Sequence, residues 1–314
     1  MPEIVIVISD LYLPVACEAP ASLPGLDRIA TFGEQRVLEH GWRGWLARWI
    51  GREDLSDMPP SVVASESPHE LMSWMATPVH LAAGLTTLHF DARGILRLTP
   101  DEQQTLALDF ERSFHGLRLM SLESGEFLLL QPRVPAVTTT EPARIAGGHV
   151  ADALPKGEGA SQLRRLGAEI EMWLHEHPVN LSRASRNQLT ISTLWIWGGG
   201  TGSCAARRAV SGLPRAFGSD STLQGLWRSC GSVSQPLPEQ LDSTHAEGAV
   251  LVVETGRMSL AELDRRFIAP AVEGTRRGAT TRVSILANDR CLAMSANARR
   301  KFWRRRRRAL ESLR

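Results

Sequence analysis

Asp10 is the first residue whose type and position suggest a chemical role. It follows the β-branched run Ile4–Ile8 and Ser9. A continuous run of this kind is typical of a strand buried on both faces of a parallel sheet. In such sheets ligands bind outside the carboxyl ends of the strands, so Asp10 lies where a functional carboxylate is expected.

A second candidate site is a glycine run that follows another β-rich segment. Leu189–Trp197 leads directly into Gly198–Gly202, and Ser203–Val210 is predicted to form a helix after it. Glycines let backbone N–H groups approach an oxyanion closely, and arginines of the preceding loop can close over it. The predicted anion site comprises Arg183, Arg186, Gly198, Gly199, Gly200 and Gly202.

The glycine run also has a purely structural interpretation. It is not a P-loop, because neither Lys-Ser nor Lys-Thr follows it. A tight turn that merely lets Trp195 and Trp197 pack explains the glycines equally well. The sequence leaves both interpretations open.

His175 and His177 are a third group that could bind an ion, together with Glu171 or Glu176. In a strand the two histidines would share a face. If the helix continued through both histidines, their side chains would point roughly 200° apart around the helix axis. They end a helical pattern before Pro178, which favours an interaction of protonated histidine with the helix C-terminus over a metal site.

The elements around these residues predict an α/β fold. Strand patterns at Ile4–Ile8, Gly248–Val253 and Thr281–Leu286 alternate with a helical pattern at Met258–Phe267. Alternation of this kind predicts a mostly parallel sheet with helices on both faces.

A smaller α+β domain is predicted to interrupt this core. At roughly 150 residues per domain, the 314-residue chain suits two domains. The Pro- and Ser-rich run 56–68 marks a boundary. Beyond it, Thr99 and Glu102 form a capping box, and an amphipathic helix runs through Leu163–Leu174 until Pro178 stops it. We predict a core of residues 1–65 and 190–314 and an insertion of residues 66–189.

Charge is concentrated near the C-terminus. Eight of the ten residues in Arg299–Arg308 are basic, whereas the whole chain has a net charge of +2. A nucleic-acid footprint over the whole surface is therefore not supported, and contact with nucleic acid or an anionic surface would have to use this tail. A solvated or internally paired helix is the alternative.

Other classes of protein are disfavoured by composition. The sequence has neither a signal-peptide start nor an apolar run long enough to span a membrane, so we expect a cytosolic protein. The four cysteines have no C-x-x-C spacing and are interpreted as ordinary buried thiols.

Several of these segments resemble one family. Leu174–Asn180 (LHEHPVN), Arg183 and Leu194–Gly200 (LWIWGGG) resemble a signature of archaeal-type cofactor-independent phosphoglycerate mutases in the alkaline phosphatase superfamily. They resemble even more closely the shorter bacterial relatives, the RpfE-type regulatory proteins. Val5–Asp10 and Leu23–Gly33 resemble the superfamily's first strand and helix, and Gly94–Leu106 resembles the mutases' inserted domain.

The resemblance implies an alkaline phosphatase-like core with two divalent ions beside a serine nucleophile. Asp10 matches a metal-binding aspartate of the family, and His245 is the single histidine of the C-terminal third. The chain has no Asp-His dipeptide, and neither Ser9 nor Ser65 lies in a recognisable nucleophile motif. Metal ligands are thus implied only at Asp10 and His245, with manganese, magnesium or zinc as the ion.

The leading hypothesis is a catalytically degenerate phosphoglycerate mutase-like protein with a regulatory or ligand-binding role. Its ligand would be a phosphorylated small molecule. The alternative is a metal-dependent phosphoryl-transfer enzyme, either mutase or phosphatase. A third hypothesis is a nucleic-acid-associated factor that binds through Arg299–Arg308.

Overall fold

The chain folds into two compact units. A computed structural model describes residues 3–11, 22–65, 70–84, 87–202, 204, 208–242, 248–256, 258–287, 289–300 and 307–313. One unit, here called the core unit, consists of Met1–Asp57 and Arg207–Arg314, and the other, the insertion unit, is Met58–Ala206.

Thirteen strands and ten α-helices lie within the described residues. The strands are β1 (Glu3–Ile8), β2 (Glu34–Val37), β3 (Met72–Ala83), β4 (Leu88–Ile95), β5 (Arg118–Ser121), β6 (Phe127–Gln131), β7 (Val137–Thr138), β8 (Lys156–Gly157), β9 (Thr193–Gly200), β10 (Arg215–Phe217), β11 (Ala249–Val253), β12 (Arg282–Ala287) and β13 (Arg290–Ser295). The α-helices are α1 (Pro24–Phe32), α2 (Gly41–Trp49), α3 (Pro60–Ala64), α4 (Pro100–Ser113), α5 (Ala160–His175), α6 (Pro178–Ser185), α7 (Ser221–Ser229), α8 (Leu260–Leu263), α9 (Ala269–Arg277) and α10 (Ala309–Leu313).

The core unit is built on a six-stranded sheet in the order β10-β11-β1-β12-β13-β2. The first four strands are parallel, and β13 and β2 add an antiparallel edge. Ile4 lies opposite Ala249 on one side and Val283 on the other, so β1 is a central strand. Its continuous apolar sequence suits a strand whose two faces are both buried.

Helices cover both faces of this sheet. Ile4, Ile6 and Ile8 belong to a core that also contains residues of α1, α9 and α10. Glu3 lies on the opposite face, since alternate residues of a strand point in opposite directions, and Trp49 Nε1 of α2 donates to its Oε2 at 3.1 Å. The predicted fold, a mostly parallel sheet with helices on both faces, is confirmed.

The insertion unit has an antiparallel sheet with helices, as expected of an α+β insertion. Its sheet has the order β4-β3-β6-β5, and β9 pairs with β3. The unit boundaries differ from the predicted bounds of 66–189. Strand β9 pairs with β3 from Ser73 to Val79, and Ser61 Oγ of α3 donates to Ser73 O at 2.9 Å, so both α3 and β9 belong to the insertion unit.

Two local features differ from the sequence patterns. Helix α5 ends before Pro178 as predicted, but Pro178 is itself the first residue of α6, where its missing N–H needs no partner. A helix over Ser203–Val210 is not formed at 204 and 208–210, and the other residues of that segment lie outside the described ones. Of the helices in the described ranges, none combines the length and apolar character needed to span a membrane.

Candidate functional site

Asp10 lies at the carboxyl end of β1 and binds the loop after β11. Its Oδ1 accepts a hydrogen bond from Thr255 N at 2.6 Å, and its Oδ2 accepts one from Gly256 N at 3.0 Å. Ser9 N donates to Val253 O at 3.0 Å, which extends the pairing of the two strands to this point. The Asp10 carboxylate therefore joins two neighbouring strand ends.

These contacts bear on the metal site that the resemblance implies. Both oxygens of Asp10 already accept a backbone N–H, although each keeps a further lone pair. Within the described ranges, no group of three or more His, Cys, Asp or Glu side chains could hold a metal ion. His245 lies outside the described residues. The described residues around Asp10 do not fit a two-metal centre, and metal binding by Asp10 and His245 stays a prediction.

A buried carboxylate occupies the N-terminus of α1. Asp264 accepts from Gly25 N at 3.0 Å and from Leu26 N at 2.7 Å, and it begins a π-helical segment, Asp264–Ile268. A Cβ at Gly25 would lie 2.7 Å from Ala269 N, which explains the glycine. Burial raises the pKa of Asp264, while the two N–H donors oppose that shift. This helix end thus binds an anion of the protein itself.

Arg183 and Arg186 both bind Glu102 in the insertion unit. Arg183 Nη1 lies 3.2 Å from Oε1 and 3.0 Å from Oε2, and Arg186 Nη2 lies 3.0 Å from Oε1. The predicted capping box is confirmed, because Glu102 also accepts from Thr99 N and Thr99 Oγ1 accepts from Glu102 N. Burial opposes ionisation, but the Thr99 N–H and the two guanidinium groups hold the pKa of Glu102 below its ordinary value.

The two arginines predicted to clamp an external anion therefore contact a carboxylate of their own unit. Arg183 is further fixed by its Nε, which donates to Leu189 O at 2.8 Å. Its side chain is only 7% exposed. This arrangement ties the start of α4 to α6, and Arg183 is buried with its charge already balanced.

The first three glycines of the run, Gly198–Gly200, belong to strand β9, and Gly202 lies beyond the end of the strand. A Cβ at Gly199 would lie 2.1 Å from the Trp74 ring, and one at Gly200 would lie 2.5 Å from Pro59. Gly198 has a φ of +57°, and its N–H donates to Thr139 Oγ1 at 3.0 Å. Close packing thus accounts for Gly199 and Gly200, and the anion site stays a prediction.

The tryptophans of the same strand are anchored by their indole N–H groups. Trp195 Nε1 donates to Thr140 O, and Trp197 Nε1 donates to Thr77 Oγ1, both at 2.8 Å. Both side chains are buried. These bonds agree with the structural interpretation of the run, in which the glycines allow their neighbours to pack.

His175 and His177 have different surroundings. His175 is the exposed last residue of α5. His177 is buried and caps α6, since its Nδ1 accepts from Val179 N at 3.2 Å. Burial lowers the pKa of His177, although Asp109, 3.5 Å from its Nε2, opposes the shift. The expectation that His177 acts as a protonated group at a helix C-terminus is thus wrong, because it is an acceptor at a helix N-terminus.

Asn180 was not predicted to have a role, yet it joins two segments. Its Nδ2 donates to Leu174 O and Ile191 O, both at 2.8 Å, and its Oδ1 accepts from Ile191 N at 2.7 Å. The HPVN segment therefore caps α6 through His177 and fixes the approach to β9 through Asn180. The motif gave no local signal for the Ile191 contact, because the partner is eleven residues away.

The basic tail is described only in part. Arg307 N donates to Thr31 Oγ1 at 3.0 Å, and Ala309 N donates to Asp27 Oδ1 at 2.8 Å. These bonds place the start of α10 against α1. Residues 301–306 lie outside the described residues, and binding of nucleic acid by Arg299–Arg308 stays a prediction.

Comparison with known proteins gives one partial sequence match. No family model matches the chain. A Geobacter sulfurreducens protein described as a probable 2,3-bisphosphoglycerate-independent phosphoglycerate mutase is 33% identical to it over 64 residues. The match covers 20% of this chain and 16% of that protein. The chain is thus similar to a phosphoglycerate mutase over one segment.

Two solved structures align with most of the chain. The cofactor-independent phosphoglycerate mutase from Thermoplasma acidophilum is 12% identical, with a TM-score of 0.37, and the alignment covers 92% of this chain and 88% of that one. The PH0037 protein from Pyrococcus horikoshii is 12% identical, with a TM-score of 0.45 and coverage of 91% and 82%.

Proposed function

We propose that the protein is a catalytically degenerate phosphoglycerate mutase-like protein of the RpfE type, with a regulatory or ligand-binding role. The partial match to a Geobacter protein described as such a mutase supports the likeness. The sequence motifs that resemble the mutases support it as well. Residues in those motifs have structural partners: Asn180 joins Leu174 to Ile191, and Arg183 pairs with Glu102.

The observation that carries the proposal is the state of Asp10. It is the one position that clearly matches a family metal ligand, and both of its oxygens accept backbone N–H groups of the β11 loop. Phosphoryl transfer by such enzymes needs metal ions that neutralise the phosphoryl charge and align the reacting oxygens. A carboxylate that holds two strand ends together has a structural reason to be retained after that chemistry is lost.

The alternative function is a metal-dependent mutase or phosphatase. Asp10 is half-buried rather than enclosed, and further ligands such as His245 would come from segments outside the described residues. The partial match to the Geobacter protein agrees with this alternative too.

An activity assay distinguishes the two functions. Purified protein is tested for phosphoglycerate mutase and phosphomonoesterase turnover with manganese, magnesium or zinc, beside Asp10→Asn. We expect no metal-dependent turnover, together with saturable binding of 3-phosphoglycerate in calorimetry. Turnover that is lost in a variant with an unchanged melting temperature would establish the enzyme and overturn the proposal.

A further inference from the structure

The insertion unit contains an apolar cleft between α5 and β9. Its volume is about 720 Å³, within the usual range for a small-molecule site. Leu163 and Ala168 of α5 and Leu194, Trp195 and Ile196 of β9 line it, and Val150 and Leu154 close one side. This α5–β9 cleft shares no residue with the predicted anion site.

Gly167 keeps one wall of the α5–β9 cleft open. It lies inside helix α5, where glycine is the least favourable residue apart from proline. No heavy atom beyond its own helix lies within 4 Å of where its Cβ would be, so packing does not require glycine here. The missing side chain leaves free space in the wall of the cleft.

Two of the three residues lining the cleft that carry a formal charge are acidic. Glu171 and Asp152 line it, and Glu171 lies one turn of α5 beyond Gly167. Arg164 is the cation among the lining residues, and its Nε and Nη2 both donate to Pro155 O, at 3.1 and 2.6 Å. Surrounding protein atoms partly desolvate Glu171 and raise the pKa of its carboxyl, and the residue is exposed to solvent.

We propose that the α5–β9 cleft binds a small organic molecule with an apolar body and a protonated amine. The body lies against the apolar lining, which includes Leu154, and the space above Gly167, and the amine pairs with Glu171. An amine suits this cleft better than a phosphorylated ligand, because two carboxylates line it against one guanidinium, and two of the five N–H donors of Arg164 already bind Pro155 O. The proposal does not depend on the proposed function.

Two fluorescent probes with one shared ring system test the ligand class. Dansylcadaverine carries a primary amine, and dansylglycine carries a carboxylate. We expect dansylcadaverine to bind the full chain about tenfold more tightly, as one charge-assisted contact allows. Equal affinity, preference for dansylglycine, or failure of both probes to bind would overturn the proposal.

Variants of α5 locate the site. Gly167→Leu fills the open space and is expected to weaken dansylcadaverine binding at least about tenfold. Ala168→Leu is a second filling variant, in case the first perturbs the helix. Glu171→Gln should remove the preference for the amine and leave dansylglycine affinity unchanged or higher. Gln162→Leu, exposed on the same helix outside the cleft, is the control and should bind like the original chain.

Circular dichroism spectra and melting temperatures establish that the variants are folded. Binding of dansylcadaverine that survives both filling variants, or a loss of binding equal in Gln162→Leu, would show that the probe adsorbs elsewhere and would contradict the proposal.

Discussion

Each unit of the protein buries a carboxylate at the start of a helix, and Glu102 and Asp264 are compensated differently. In the insertion unit Glu102 binds two guanidinium groups and the Thr99 N–H. In the core unit Asp264 accepts two backbone N–H groups of α1, and nearby Asp27 adds like charge. The pKa is lowered for Glu102 and raised for Asp264. At Glu102 the Thr99 N–H and the two guanidinium groups together outweigh desolvation, whereas at Asp264 desolvation and the like charge of Asp27 outweigh the two N–H donors.

The largest effect is expected for Arg183→Ala, which leaves the buried carboxylate of Glu102 with only Arg186 as a cation. Breaking a buried ion pair destabilises by about 3 kcal/mol. Urea unfolding followed by tryptophan fluorescence should show this loss in the insertion unit. Arg186→Ala is the matched control. Its side chain is 47% exposed, so its loss is expected to be below about 1 kcal/mol. Equal effects of the two variants would contradict this account of the cluster.

The second prediction concerns Asp264→Ala, which removes the acceptor for two N–H groups at the start of α1. Loss of this interaction should lower the free energy of unfolding by about 2 kcal/mol. Asp264→Asn keeps one acceptor oxygen and should lose about half as much. A variant as stable as the original chain would mean that water satisfies the helix end equally well.

The pH dependence of the two carboxylates should have opposite signs. The folded pKa of Asp264 lies above 3.8, so its protonation favours folding, and this stability is lost as the pH rises through the folded pKa. The folded pKa of Glu102 lies below 4.5, so its contribution to stability is present above pH 4.5 and is lost as the pH falls through the folded pKa.

Unfolding measured from pH 3 to 7 in Asp264→Asn and Glu102→Gln would reveal the difference. The advantage of the original chain should grow on acidification against Asp264→Asn and shrink against Glu102→Gln. If the stabilities of both variants changed with pH in parallel with the original chain, the proposed difference between the two carboxylates would be wrong.

Local patterns in the sequence predicted much of the fold. The continuous apolar runs predicted β1 and β11, because both faces of a central parallel strand are buried. The Thr99–Glu102 pair predicted the start of α4. Pro178 was predicted only to end one helix, and it also begins the next, because a proline suits the first turn of a helix.

For the candidate site, the sequence identified residues but not the contacts that they make. Arg183 and Glu102 are separated by 81 positions, and no local pattern pairs them. The sequence also could not distinguish a glycine that lets a phosphate approach the backbone from one that lets the Trp74 ring pack against it. Both contacts require that the Cβ be absent. Asp10 was placed at its strand end, but its bonds to Thr255 and Gly256 come from a loop 245 positions away.

Two glycines, Gly199 and Gly167, allow a similar comparison of packing rather than of charge. Gly199→Ala places a Cβ 2.1 Å from the Trp74 ring, so the buried tryptophan or strand β9 must shift. Overpacking of this kind destabilises by about 1–3 kcal/mol, and urea unfolding should show it in the absence of any phosphate ligand. An unchanged stability combined with weaker phosphate binding would instead favour the predicted anion site.

Gly167→Ala is expected to have the smallest effect, and the opposite sign. Alanine is favoured over glycine in a helix interior by about 0.8–1.0 kcal/mol, and the added methyl group meets no heavy atom within 4 Å beyond its own helix. The variant should therefore unfold at a higher urea concentration with an unchanged slope. Because a methyl group fills little of a cleft of about 720 Å³, it should also retain dansylcadaverine binding, unlike Gly167→Leu. Destabilisation by alanine would mean that the space above Gly167 is already occupied, and the α5–β9 cleft would lose the feature that distinguishes it from an ordinary groove.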